Sequence, residues 1–375
     1  MRPQHTTVDA VRVHAFKVPT DGPGGREQDG TLEWDATTMV LVEVDGGGAT
    51  GIGYTYGDVS VASFLTSTLL PVLTGCDALA PPAAWQSMFT AIRNAGRPGV
   101  GAMAVSAADT ALWDLKAKLL GLPVFQALPA FHDRVPVYGS GGFTNYPLHR
   151  LAEQLAGWAG QGIGRVKLKT SRDPARDPAR LDAVRKAVGN GCELFTDANG
   201  ALSAKDAVYW AHRFAEQWGV TWFEEPVSSD DLEGLRSVRE SAPGGIEVAA
   251  GEYGFVLRDF AGLVTPRAVD CLQADVTRCG GITGLLHVSG LAAAHHIDLS
   301  AHCAPALSAH AFCAVDRLRH LEYFHDHVRF ERLLFEGTLQ PEDGALRPDP
   351  GRPGFGLDVR WADAERYRTY GTSTR

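Results

Sequence analysis

The chain has 375 residues, 45% of them hydrophobic and 21% charged, which is the composition of a soluble globular protein and excludes a disordered one. A formal charge of −9 with no Lys/Arg cluster excludes a nucleic-acid partner, yet it allows an anionic small molecule, because lysines and a cation can reverse the field inside one cleft. The six cysteines form no C-x-x-C pair, and there is neither an amino-terminal signal pattern nor an apolar run long enough for a bilayer, so a cytoplasmic protein with no membrane partner is expected.

A chain of this length predicts two domains, or one barrel with a cap. Residues 8–18 alternate and carry β-branched side chains, as a half-buried strand should. The Gly-rich polar segment from Thr20 to Trp34 has the composition of a mobile loop. Two strands joined by a glycine turn follow, and helical periodicity takes over near Val61. The clearest helix is VSAADTALWDLKAKLLG, with Ala108, Leu112, Leu115 and Leu119 on one face and Gly121 as a stop signal. A sheet followed by helices makes the first 130 residues an α+β domain.

From VPVYGSGGF to about Glu322 strands and helices alternate. RVKLK, CELFTDAN, VTWFEEP, IEVAAGE, CLQAD, IDLSAH and HLEYF read as strands two to eight, and helix-length gaps make their pairing parallel. The strands end on Lys169, Asp197, Glu224, Glu252, Asp275, His302 and Glu322, at steps of 28, 27, 28, 23, 27 and 20 residues. Each step spans about one strand, one helix and two loops, so a barrel would bring these groups to a common mouth.

Lys167 and Lys169 share one face of strand two, and mutual repulsion together with a nearby cation is expected to lower a lysine pKa toward that of a base. Any one of Asp197, Glu224 and Glu252 could be an ordinary surface acid. As an evenly spaced set they repel one another unless a cation sits between them, and an all-oxygen set suits Mg²⁺. Glu252 is preferred to Glu247 for its place at the strand end and for its parity with Ile246, Val248 and Ala250. Glu225 ends the same strand as Glu224 and is expected to point the other way. Asp275 beside His302 would fix the imidazole tautomer and raise its pKa. Glu322 could donate a hydrogen bond if nearby acids keep it neutral. His325 and His327 are expected in a solvated loop, and Cys303 is expected to face away from His302. No G-x-S-x-G elbow, phosphate-binding loop or H-E-x-x-H motif is present.

Lys-x-Lys at 167–169, DAN at 197–199, FEEP at 223–226, GE at 251–252, D-x-x-x-x-GG from Asp275, His302 and Glu322 together resemble the enolase superfamily, specifically its mandelate racemase subgroup. The resemblance covers nearly the whole chain. It implies an α+β cap over residues 1–130, completed by a tail from about 345 to 375, on a modified TIM barrel, (β/α)7β, over 131–344. It further implies Asp197, Glu224 and Glu252 as Mg²⁺ ligands, Lys169 as one base and His302 with Asp275 as the opposite base. By the same resemblance Lys167 touches a substrate carboxylate and Glu322 hydrogen-bonds to it. The implied activity is dehydration of an acid sugar, with a racemase or epimerase and a lactone cycloisomerase as alternatives. A homo-oligomer acting on a small carboxylate is expected, with specificity set by Thr20–Trp34 and by the stretch around Tyr54, Tyr56 and Asp58.

Overall fold

The computed structural model describes residues 6–374; residues 1–5 and 375, the outer ends of the segments read as cap and tail, lie outside the described residues. Four antiparallel strands form the cap sheet, in the order Arg368–Thr374, Ala10–Pro19, Ala36–Gly46, Ala49–Tyr56. The alternation in Ala10–Pro19 divides it between two cores: Val11, Val13 and Ala15 join the cap helices, while Phe16 and Val18 join the barrel side. The helix Val100–Leu120 ends against Gly121, as expected, and buries Ala108, Leu112 and Leu115. It lies directly on the strand Ala49–Tyr56 because Gly51 and Gly53 carry no side chain there; a Cβ on Gly51 would stand 2.2 Å from the carbonyl oxygen of Ala111.

The barrel strands are Val135–Gly141, Arg165–Lys169, Glu193–Asp197, Val220–Glu224, Glu247–Ala250, Cys271–Ala274, Asp298–Ala301 and Leu318–Phe324. All are parallel, each pairs with the next, and the eighth pairs with the first, so the sheet closes. Val166 and Leu168 are buried in the core beneath the helices, and Lys167 and Lys169 take the other face. Tyr138, Phe195, Trp222, Ala249 and Cys271 fill the interior as a separate apolar layer, which leaves the next layer toward the carboxyl ends for polar groups. The covering helices are amphipathic: in Ala204–Trp218 the residues Ala207, Trp210, Ala211, Phe214 and Trp218 are buried, and Ser203 caps the start by accepting from the Asp206 N–H. Among the described residues no helix is long and apolar enough to cross a membrane.

Two loop expectations are corrected. Within Thr20–Trp34, Glu27–Gln28 pairs with Glu33–Trp34 as a small hairpin packed on the barrel mouth. Thr144 donates to the Gln28 and Asp29 carbonyls, and Thr31 donates to the Asn199 carbonyl, so the polar composition is used in contacts with the barrel. The HDH stretch is no solvated loop either. The helix His325–Leu334 starts directly at the end of strand eight; His327 is buried, stacks on Tyr56 with ring centroids 3.5 Å apart, and accepts from the Ala304 N–H. Burial pushes its pKa down to about 3.

Candidate active site

Strand two carries both lysines into the barrel. Lys167 is fully buried over the Tyr138 ring and pairs with Glu224, with Glu322 at 2.7 Å and with Asp197 at 3.4 Å. Lys169 Nζ lies 2.6 Å from Asp197 Oδ2. Among the protein's own groups, mutual repulsion does not decide the lysine pKa values. Burial disfavours the charge, but Glu224 and Glu322 around Lys167, and Asp197 beside Lys169, outweigh both burial and mutual repulsion and hold each ammonium above the ordinary lysine range.

Asp197 and Glu224 end adjacent strands in direct register. With Glu252 they offer carboxylate oxygens that lie within 4.8 Å of one another, and all three residues are buried. This donor set of hard oxygens fits a cation of the Mg²⁺ type. Burial and the charges of Asp197 and Glu322 push Glu224 up to about 8 despite Lys167. The Trp222 indole N–H steadies its other oxygen at 2.9 Å.

Glu252 reaches the site by a route that parity does not predict. Val248 and Ala250 face the helices and Ala249 faces the barrel interior, so a residue sharing the parity of Val248 belongs outside. Strand five stops at Ala250, and Gly251 at φ +136° turns the chain inward; a Cβ there would meet the Gln273 carbonyl oxygen at 2.2 Å. Glu225 is also closer than expected. Its φ of +38° breaks the alternation, and its buried carboxyl is pushed well up by burial and by the charges of Glu252, Asp197 and Glu224.

Across the mouth, His302 Nδ1 lies 2.8 Å from Asp275 Oδ2, while the Thr277 N–H and hydroxyl both donate to Asp275 Oδ1 at 2.7 Å. The imidazole pKa is raised: burial opposes the charge, and Glu252, Glu322 and Asp275 overcome it. Glu322 departs from the neutral carboxyl considered above, because against burial Lys167, His302 and Lys169 hold it ionised. Ser140 donates to its Oε1 at 2.6 Å. Cys303 does not face away. At φ +52°, followed by Ala304 at +45°, it leaves extended geometry, and its sulfur lies 3.3 Å from His302 Nε2 and 3.2 Å from Glu322 Oε2.

The structure thus brings Lys167, Lys169, Asp197, Glu224, Glu252, Asp275, His302 and Glu322 to one barrel mouth. Sequence reasoning missed Ser140, Trp222, Thr277 and Arg278, of which Arg278 donates to the Glu252 carbonyl at 3.0 Å. Thr277 and Arg278 lie inside the D-x-x-x-x-GG motif and could have been found there. A cavity of about 440 Å³ opens between cap and barrel, lined among others by Trp34, Tyr56 and Asp58 from the cap and by Arg278, Phe324 and His327 from the barrel. Tyr54 does not line it; its hydroxyl donates to buried Glu331 at 2.6 Å and ties the cap to the helix after strand eight.

A closed parallel barrel with acids, lysines and a carboxylate-held histidine at the carboxyl ends of its strands is the architecture of a barrel enzyme. Residues 31–128 match the family described as "Mandelate racemase / muconate lactonizing enzyme, N-terminal domain", and residues 150–364 match "Enolase C-terminal domain-like". The chain therefore belongs to the mandelate racemase/muconate lactonizing enzyme family of the enolase superfamily. It is 32% identical over 361 residues to a 3,6-anhydro-alpha-L-galactonate cycloisomerase of Streptomyces coelicolor, covering 93% of this chain and 96% of the relative. A solved mandelate racemase/muconate lactonizing enzyme-like protein from Rubrobacter xylanophilus is 61% identical, with TM-score 0.95 over 97% of this chain and 100% of that one. The L-talarate/galactarate dehydratase of Salmonella typhimurium LT2, solved with Mg and L-lyxarohydroxamate, is 28% identical, with TM-score 0.89 over 99% of this chain and 95% of that one. Of these relatives one is named a cycloisomerase and one a dehydratase, each of a sugar-derived acid.

Proposed function

We propose that this protein is a Mg²⁺-dependent dehydratase of an acid sugar, an aldonate or aldarate, which removes the proton α to the carboxylate and expels the β-hydroxyl. The observation that carries this reading is the convergence of Asp197, Glu224 and Glu252 within 4.8 Å, with Lys169 delivered by strand two and His302 by strand seven. Those strands stand three places apart around a closed eight-stranded barrel, so the two groups approach the mouth from different sides. A magnesium ion held by the three acids would neutralise the charge that moves onto the substrate carboxylate as the α proton leaves, an effect worth several kcal/mol.

Lys167 would present its ammonium to the same carboxylate, steadied by Glu322, which Ser140 orients. With Asp197 engaged in holding the cation, Lys169 would lose the ion pair that keeps it an ammonium and, as the free amine, would take the α proton. His302, aligned by Asp275 and carrying a proton on Nε2, would give it to the departing β-hydroxyl, which leaves as water. The enol that remains becomes a 2-keto-3-deoxy acid. The hairpin from Glu27 to Trp34 would cover the mouth and exclude water.

A second reading is favoured by the relative that is 32% identical over 93% of this chain, a cycloisomerase. The same base and acid would then open or close a ring without net loss of water. A screen of mono- and diacid sugars and their lactones with Mg²⁺, following keto-acid formation and deuterium uptake together, separates the two. Because expulsion of a β ring oxygen also leaves an enol that becomes a keto acid, the product mass decides: a keto acid lighter than its substrate by one water supports the dehydratase, and a keto acid of the substrate's own mass rejects it in favour of the second reading.

A further inference from the structure

The site contains a second, chemically different donor set. His302 Nε2, Cys303 Sγ and Glu322 Oε2 form a buried triangle with sides of 3.3 Å from sulfur to nitrogen, 3.2 Å from sulfur to oxygen and 3.5 Å from nitrogen to oxygen. Tetrahedral zinc with ordinary bond lengths requires separations of about 3.6 Å from sulfur to either partner and about 3.4 Å between nitrogen and oxygen. The sulfur therefore has to withdraw by only a few tenths of an ångström. Glu252 Oε2, a buried oxygen with no hydrogen-bond partner, stands 3.3 Å from His302 Nε2.

The supports behind these atoms are those a zinc-type centre needs. Asp275 holds His302 Nδ1 at 2.8 Å and so directs Nε2 inward, and Ser140 and Lys167 occupy Glu322 Oε1, which leaves Oε2 to accept from the Cys303 thiol, whose proton a cation would replace. The backbone at Cys303 and Ala304 is left-handed, a conformation disfavoured for residues with side chains, and it is what turns the sulfur toward the histidine.

We propose that His302, Cys303 and Glu322, completed by Glu252, form a thiolate-containing site for a borderline or soft divalent cation such as Zn²⁺, different in chemistry from the all-oxygen set with which it shares Glu252. On binding, metal–sulfur, metal–nitrogen and metal–oxygen bonds form, and the thiol S–H proton, with any proton on Nε2, leaves to the buffer. A cation there takes up Nε2, so Zn²⁺ inhibits turnover; this consequence rests on the role proposed for His302, whereas the binding itself does not.

The test uses Co²⁺ as a spectroscopic probe on the Mg²⁺-saturated full-length protein. The expected result is uptake of one Co²⁺ per chain with a near-ultraviolet thiolate-to-cobalt charge-transfer band and ligand-field bands of tetrahedral intensity. Zn²⁺ should displace it. Cys303→Ser should abolish the charge-transfer band, and Asp275→Asn should keep the band but weaken affinity by roughly 10–100-fold. No thiolate band in the wild-type protein, or a band that survives in Cys303→Ser, overturns the site. If the bands behave as expected but Zn²⁺ leaves turnover unaffected, the metal site stands and the role proposed for His302 is what fails.

Discussion

Lys169 Nζ lies 2.6 Å from Asp197 Oδ2, a direct ion pair between the residue proposed as base and a residue proposed as metal ligand. The two are thereby coupled, and the metal should govern the base. Chelation is expected to abolish turnover and added Mg²⁺ to restore it. Asp197→Asn should weaken Mg²⁺ binding by at least about tenfold while circular dichroism shows an intact barrel. Full activity in the presence of excess chelator contradicts the metal assignment.

Gly251 gives a sharper test of how Glu252 is positioned. Its φ of +136° and the 2.2 Å approach of a Cβ to the Gln273 carbonyl leave no place for a side chain. Gly251→Ala is expected to lower stability by roughly 1–3 kcal/mol and to weaken Mg²⁺ binding, because Glu252 would swing out of the mouth. Thermal unfolding and metal titration of the variant read the two effects. Unchanged Mg²⁺ affinity would mean that Glu252 does not depend on the turn.

The strand ends were legible in the sequence because a barrel repeats: one apolar run, one polar group, one helix. Lys167, Lys169, Asp197 and Glu224 follow plain alternation, and the structure brings them together. Glu252, Glu225 and Cys303 do not, since each depends on a backbone turn outside the extended region, and sequence parity has no information about such turns. The burial of His327 was hidden for another reason. Its partner Tyr56 belongs to the cap, about 270 residues earlier, and a composition of His-Asp-His reads as polar until that long-range contact is seen. The carboxylates that pair with each ammonium were not legible from the Lys-x-Lys spacing, because they arrive from other strands.

Asp109 supplies a pH dependence away from the site. In the cap helix Val100–Leu120, its buried carboxyl accepts from the Thr283 N–H at 2.9 Å and hydroxyl at 2.6 Å, and burial pushes its pKa from 3.8 up to about 7. The folded state therefore holds this proton more tightly than the unfolded chain. The resulting stability is complete below the unfolded value and is lost as the pH rises through about 7. Asp109→Asn should remove this part of the decline, so its unfolding temperature should fall less than that of the wild type between acid and neutral pH. Parallel profiles would contradict the shift.

The hairpin over the mouth should matter for the substrate and not for the metal. Replacing the segment from Thr20 to Trp34 by a short linker is expected to reduce kcat/KM strongly and to leave Mg²⁺ affinity nearly unchanged. An equal loss of metal binding would place the segment within the metal site.

The central claim is that Lys169 and His302 address different faces of the α carbon. The most direct measurement is NMR of the α position in D₂O, with Mg²⁺ present, for both configurations of the best substrate. In His302→Asn the lysine and all three acids remain, so exchange should persist for the configuration whose proton faces Lys169, even if overall turnover falls by roughly 10²–10⁴-fold. Lys169→Ala should exchange only the opposite configuration. If either variant binds Mg²⁺ and substrate yet exchanges neither configuration, the two-face arrangement is contradicted.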